Sequence, residues 1–110
     1  WTDFEAHYDI VVDYENGWWE ERTLGPVFGD RFPWIQVSGL NWVYTGHAPG
    51  ANQYNLFPAS GDWGWLYSDP RVYPWLYRYT TADWYWYWPG TAFPGWFFQS
   101  STGNWTFGPP

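Results

Sequence analysis

From His7 to Glu15 the chain alternates: Tyr8, Ile10, Val12 and Tyr14 fall on one side of an extended backbone, Asp9, Val11, Asp13 and Glu15 on the other. That two-residue period predicts a half-buried strand. Asn16-Gly17 follows, the pair best suited to the positive φ angles of a type I′ turn, and Trp18 to Thr23 returns as a second strand. A two-residue loop sets Tyr14 opposite Trp19, a favourable cross-strand pair, but it also sets Asp13 opposite Glu20. Like charges there are destabilising, so either the register differs or a cation or arginine sits between them. Leu24 to Asp30, with two glycines and a proline, reads as a loop. It is the expected hinge between an N-terminal hairpin or arm, residues 1–24, and an aromatic-rich body, residues 25–110, of one compact domain.

Further strands are expected at Pro33 to Val37 and Asn41 to Tyr44. Thr45 to Ser60 carries glycines, prolines and asparagines without a helical period, and reads as a long surface loop holding a short extended piece at Gln53 to Phe57. A repeat then takes over. Trp75-Leu76-Tyr77-Arg78 through Asp83-Trp84 matches Trp96-Phe97-Phe98-Gln99 through Asn104-Trp105 at an offset of twenty-one residues, and each copy follows an aromatic-Pro pair, Tyr73-Pro74 or Phe93-Pro94. Strands are expected near Trp63 to Tyr67, Trp75 to Tyr79, Trp84 to Trp88, Trp96 to Gln99 and Asn104 to Phe107. Asp69-Pro70-Arg71, Thr81-Ala82-Asp83, Pro89-Gly90-Thr91 and Thr102-Gly103-Asn104 turn the chain between them. Gly and Pro interrupt every long window, so no helix is expected. The predicted fold is all-β: an antiparallel meander of short aromatic strands, as a repeat-built sheet, sandwich or barrel-like body, preceded by the hairpin.

Composition narrows the partners. Eleven carboxylates stand against four arginines and no lysine, a formal charge of -7, which disfavours nucleic acid and anionic membrane. No apolar run is long enough for a transmembrane helix. Cysteine is absent, which excludes a disulfide scaffold and thiolate metal sites. Methionine is absent too, and the expectation is a secreted or surface-displayed chain whose signal peptide has been removed ahead of Trp1. Phe, Trp and Tyr make up 28% of the residues, more rings than so short a chain can bury, so some must line an outer surface. Trp84-Tyr85-Trp86-Tyr87-Trp88 is aromatic on both faces, as suits either a strand covered on both sides or one with a functional aromatic face.

Gly64-Trp65-Leu66-Tyr67, Tyr73-Pro74-Trp75-Leu76-Tyr77, Trp84-Tyr85-Trp86-Tyr87 and Pro94-Gly95-Trp96-Phe97-Phe98 resemble a Trp/Tyr-rich repeat (GWLY, YPxLY and PxWF patterns) at the ends of many bacterial surface and secreted proteins. Trp34-Ile35 through Asn41-Trp42-Val43-Tyr44 fits that pattern's opening element, and the resemblance runs from about Gly25 to Trp105. It implies an anchoring, display or assembly role and no particular activity. Beside the resemblance, a short N-terminal hairpin rather than a large passenger is expected ahead of the repeat, as would suit a free-standing subunit.

The chemistry of catalysis is sparse. His7 and His47 lack a nucleophile elbow. Asp62, Asp69 and Asp83 sit among rings that can stack on sugars, but each falls beside a turn, where Asp serves the backbone. Asp9, Asp13, Glu15 and Glu20 can share one face of the hairpin as oxygen ligands for calcium, the ordinary alternative being a solvated acidic face. No cofactor and no enzymatic activity are expected. The expected function is an extracellular structural or assembly module, a cell-surface or filament subunit that associates with itself. Its rings Trp18, Trp19, Trp63, Trp65, Trp75, Trp84, Trp86, Trp88 and Trp96 would form the interface, and Tyr8, Ile10, Val12 and Tyr14 would add as a strand to a neighbour's sheet. The alternative is a carbohydrate-binding module that uses the same rings as platforms for polysaccharide.

Overall fold

The computed structural model of the protein describes residues 3–89 and 93–108. A helix, α1 (Asp3–His7), precedes eleven strands: β1 (Ile10–Glu15), β2 (Trp18–Glu21), β3 (Gly25–Phe28), β4 (Trp34–Val37), β5 (Asn41–Thr45) and β6 (Tyr54–Pro58), then β7 (Leu66–Ser68), β8 (Trp75–Arg78), β9 (Asp83–Tyr87), β10 (Trp96–Gln99) and β11 (Asn104–Phe107). All are antiparallel neighbours in chain order, so the all-β meander expected from the sequence forms as one sheet that does not close into a barrel. Flat, the sheet would span about 48 Å at ordinary strand spacing. The molecule measures 43 × 25 × 23 Å, and its smallest dimension far exceeds the thickness of one layer, so the strip is strongly coiled. Among the described residues no helix is long and apolar enough to cross a membrane.

Coiling gives the sheet an inside. Four dipeptides show how the chain specifies it: Trp34-Ile35, Trp65-Leu66, Trp75-Leu76 and Trp96-Phe97 each present a tryptophan outward, while the next side chain is at most 1% exposed. Val27, Val37, Val43, Leu56, Tyr85 and Tyr87 extend that inner face. With no second layer, the connections cover it. Trp63, from the β6–β7 connection, meets Tyr85 and Phe97 at ring distances of 4.9 and 5.2 Å. The β4–β5 turn brings Gly39 so close to Tyr87 that a Cβ there would lie 2.3 Å from the ring. Phe4 of α1 lies over Gly29 in the same way and packs against Trp19 at 5.6 Å.

Several sequence expectations are corrected. The N-terminal segment is not extended from His7: residues 3–7 form α1, and Tyr8 turns into the core at 6% exposure. Gly25–Phe28 is not a loop but β3, paired with β2 along its whole length and with β4 through Val27 and Phe28. Pro26 is tolerated because the β4 ladder stops before it. The extended piece within Thr45 to Ser60 is a full strand, β6, joined on both sides. The Asn16-Gly17 turn has the expected positive φ angles, 56° and 86°. Its register differs, since irregularities fall between Ile10 and Val12 and between Asp13 and Glu15, and Asp13 then lies opposite Trp19 while Val12 faces Glu20. The bulges thus relieve the like-charge pair. Trp1 and, beyond Pro89, the expected Pro89-Gly90-Thr91 turn lie outside the described residues.

If the inner face is the core, Leu76→Ala lowers the unfolding free energy by about 2–5 kcal/mol. Trp34→Ala, whose ring faces outward, costs clearly less. Urea titrations of both variants check this; equal losses would mean that the outer face is as essential to folding as the inner one.

Candidate functional site

Alternation leaves the second face of the sheet to the other half of the aromatic residues. Register turns these into rows. Trp34 stands opposite Tyr44 and Tyr44 opposite Phe57, with Trp65 next to Phe57 at 5.3 Å. Tyr67 pairs with Tyr77 and Tyr77 with Trp84. Trp75, Trp86, Phe98 and Trp105 form one row across β8 to β11, and Trp96 faces Phe107 beside it. Trp18, Phe28 and Trp42 make a shorter group at the other end, with ring distances of 5.4 and 6.1 Å.

Most of these rings meet edge to face, while Trp96–Phe107 and Tyr77–Trp84 are tilted, at 45° and 60°. Interplanar angles are 75° for Trp34–Tyr44, 81° for Tyr44–Trp65, 65° for Phe57–Trp65, 83° for Trp86–Trp105 and 62° for Phe98–Trp105. Edge-to-face contact directs the positive rim of one ring at the negative face of the next, which stabilises a solvent-exposed aromatic layer. It also makes the layer corrugated. A flat polysaccharide surface needs coplanar rings, and this face does not offer them.

One depression interrupts the layer. Gly46, Asn55, Trp65 and Tyr79 line a shallow open hollow of about 400 Å³. Trp65 lies directly on Gly46, where a Cβ would come within 2.3 Å of its ring, so only glycine lets that ring lie down. The side-chain oxygen of Asn55 is buried there without a hydrogen-bond partner.

Of the rings named from sequence, Trp18, Trp65, Trp88 and Trp96 are exposed, and Trp75, Trp84 and Trp86 are half-buried on the same face. Trp63 is not on it: the ring is 1% exposed, lies in the core, and has the Arg78 guanidinium 5.8 Å from its centroid. Trp19 is half-buried against Phe4. Sequence reasoning passed over Trp34, Tyr44, Phe57, Tyr79, Trp105 and Phe107, all exposed. The signal was available for Trp105, which the repeat aligns with Trp84, and for Trp34 and Tyr44, which alternate with buried neighbours.

Of the strand-addition candidates, Ile10, Val12 and Tyr14 lie on β1, where Val12 and Tyr14 are exposed, whereas Tyr8 precedes the strand and hydrogen-bonds Thr45 at 2.7 Å in the interior. The hairpin carboxylates go to separate partners. Asp9 pairs with Arg22 at 2.7 Å, Asp13 accepts the Glu15 amide, and Glu20 accepts the Tyr14 hydroxyl. Among the described residues no three His, Cys, Asp or Glu side chains converge as a metal site.

Buried polar groups act as ties. Glu21, unremarked in the sequence, is 1% exposed and accepts the amides of Asp9, Thr23 and Leu24 and the hydroxyl of Tyr54, thereby joining β2 to β6. His47 lies within reach of His7: its Nε2 donates to the His7 carbonyl at 2.9 Å and its Nδ1 accepts the Asn55 amide at 3.2 Å. Burial lowers its pKa below the ordinary 6.5. Asp69 and Asp83 serve turns. Asp69 accepts the Tyr67 hydroxyl at 2.7 Å and the amides of Arg71 and Val72. Asp83 accepts the hydroxyls of Ser101 and Ser100, the Gln99 side-chain amide and the Trp84 amide, clamping β9 to the β10–β11 turn. The Tyr67 hydroxyl leads in holding the Asp69 carboxyl down, and the Ser101 hydroxyl in holding Asp83 down, each to about 2.

A carboxyl depressed in the folded state stabilises the fold above its unfolded pKa, near 3.8, and loses that contribution as pH falls toward about 2. Asp83→Asn is therefore less stable than the parent at pH 7 but loses less stability between pH 4 and 2, read from unfolding midpoints across that range. The same slope in both chains would remove Asp83 from the acid response. His47 adds an earlier step: its depressed pKa favours folding above 6.5, and this share declines as pH falls below that value. Replacing His47 with Gln should flatten the change in melting temperature between pH 7.5 and 5, and an unaltered change would exclude it. No family model, no curated protein and no solved structure matches the chain.

Proposed function

We propose that the chain is a non-enzymatic structural or assembly module of the cell exterior, secreted or displayed, that associates with copies of itself. The observation that carries this reading is the exposed aromatic face: Trp34, Tyr44 and Phe57 on three successive strands and Trp65 just ahead of β7, at about 40% exposure each. Contiguous apolar surface of this kind marks an interaction site. Trp and Tyr are also the side chains that dominate association energies. The Trp/Tyr-rich surface-protein repeat that the sequence resembles supports the exterior setting. Self-association would use the aromatic face together with an open edge of the sheet, and the first hairpin is one such edge.

Carbohydrate binding is a second reading, favoured by the hollow between Trp65 and Tyr79. A single sugar ring stacked there would lie against Trp65 and Tyr79, beside the Asn55 side chain.

Two measurements separate the readings. In light scattering after size exclusion, the parent chain is expected to form a discrete oligomer, and Trp34→Ala should weaken its association about thirtyfold, the equivalent of about 2 kcal/mol. A parent that stays monomeric at every concentration rules out assembly. In the carbohydrate reading, Trp65→Ala and Tyr79→Ala abolish retention on a glycan array while leaving the solution mass unchanged.

A further inference from the structure

Eleven successive antiparallel strands leave β1 and β11 at opposite ends of the sheet and running in the same direction. Among the described residues no strand pairs with the outer edge of either. This parity restricts how two copies can join. Placing β11 of one copy beside β1 of the next, with the aromatic faces on the same side, makes a parallel pair, the slightly weaker kind. A twofold axis normal to the sheet instead joins like edges, β11 to β11 or β1 to β1, antiparallel and with the aromatic face continuous.

The two edges are not equivalent. β1 is broken by two register irregularities and carries Asp13 and Glu15, both devices that protect an edge from pairing. In contrast, β11 pairs regularly with β10 through four consecutive residues. No residue after Asp83 has a charged side chain, so the formal charge of -7 resides wholly in the earlier part of the chain. Two copies that meet through β11 keep their carboxylates apart.

We propose that β11 is the self-association edge and that it pairs with β11 of a second copy about a twofold axis through Thr106. This rests on the assembly reading and names the surface it would use. The Gly108 amide bonds the Gly95 carbonyl, which sets the alternation: Thr106 bonds toward β10, while the N–H and C=O groups of Trp105 and Phe107 point to the open edge. Residues on the same face must oppose each other across the axis, which therefore passes through a residue. Centred on Thr106, Trp105 faces the partner's Phe107 and the partner's Trp105 faces Phe107, each an outward-bonding pair of exposed rings. A centre at Trp105 supplies only one such aromatic pair. Because the remaining edges are the guarded β1 strands, edge pairing stops at two copies, and contact between such pairs falls to the aromatic face that carries Trp34 and Trp65.

The absence of native cysteine makes the register directly readable. Thr106 falls at a non-hydrogen-bonded position on the axis, where Cα atoms lie about 4.5 Å apart, within disulfide range. Thr106→Cys is expected to form a covalent dimer under mild oxidation about tenfold faster than Val12→Cys on the exposed part of β1. Adding Phe107→Pro removes one outward N–H and leaves the bonds to β10 intact, so circular dichroism should be preserved while cross-linking of Thr106→Cys falls about tenfold. If the parent chain is oligomeric but Thr106→Cys cross-links no faster than Val12→Cys, the β11 edge is wrong and assembly stands. A parent chain that is monomeric throughout, with no cross-link at either position, overturns both. Cross-linking that ignores Phe107→Pro overturns the register.

Discussion

A single sheet has two faces, and among the described residues no second layer covers either of them. The rest of the structure follows from that constraint. Coiling the strip and folding its connections beneath it give one face an interior, which is why Trp63, Leu40 and Leu24, all outside strands, are among the buried core residues. A helix of five residues suffices at the N-terminal end because its task is to place Phe4 over Gly29 and Trp19. Burial of the inner face then fixes the register of the strands from β3 to β10, since a slip of one residue would exchange Ile35 or Leu76 for a neighbouring outward ring.

The same registration orders the outer face. Rings placed at cross-strand neighbours on a twisted sheet cannot all lie flat, and they settle edge to face or tilted, with each quadrupole partly satisfied by the next. Such a layer is tolerated in water without being inert. Its corrugation suits interdigitation with another aromatic surface better than contact with a planar one, and this weighs toward self-association over a flat polysaccharide. The hollow at Trp65 is the local exception, since a glycine beneath the ring lets it lie down.

Most of the sheet was legible where the two-residue period was clean. β10 and β11 fall where the repeat placed them, β8 ends one residue early, and β9 is displaced by one residue at both ends. The misses have physical causes. β3 was hidden because Gly25 and Pro26 are ordinarily loop residues, and only the position of Pro26 beyond the β4 ladder makes a strand acceptable there. α1 is too short to show a helical period, and Tyr8 continued the strand alternation by coincidence. The outer face was legible in kind but not in membership. Trp63 and Trp65 are separated by one glycine and would share a face of a continuous strand. Gly64, at a φ of 67°, breaks that continuity and sends Trp63 inward.

Buried polar groups explain why the first hairpin belongs to the same sheet as the body. Glu21 occupies an interior position that an apolar residue would fill at lower desolvation cost, and it is retained there by three amides and the Tyr54 hydroxyl. Removing any one partner leaves a buried charge less satisfied, so β2, the β2–β3 turn and β6 are coupled. His47 adds a neutral tie from the β5–β6 connection to the end of α1. Charged groups thus concentrate in the earlier part of the chain, whereas the segment after Asp83 is held by rings, backbone bonds and the uncharged Gln99, Ser100 and Ser101 side chains that bond Asp83. The sheet is anchored at one end and apolar at the other, and the apolar end has the regular open edge.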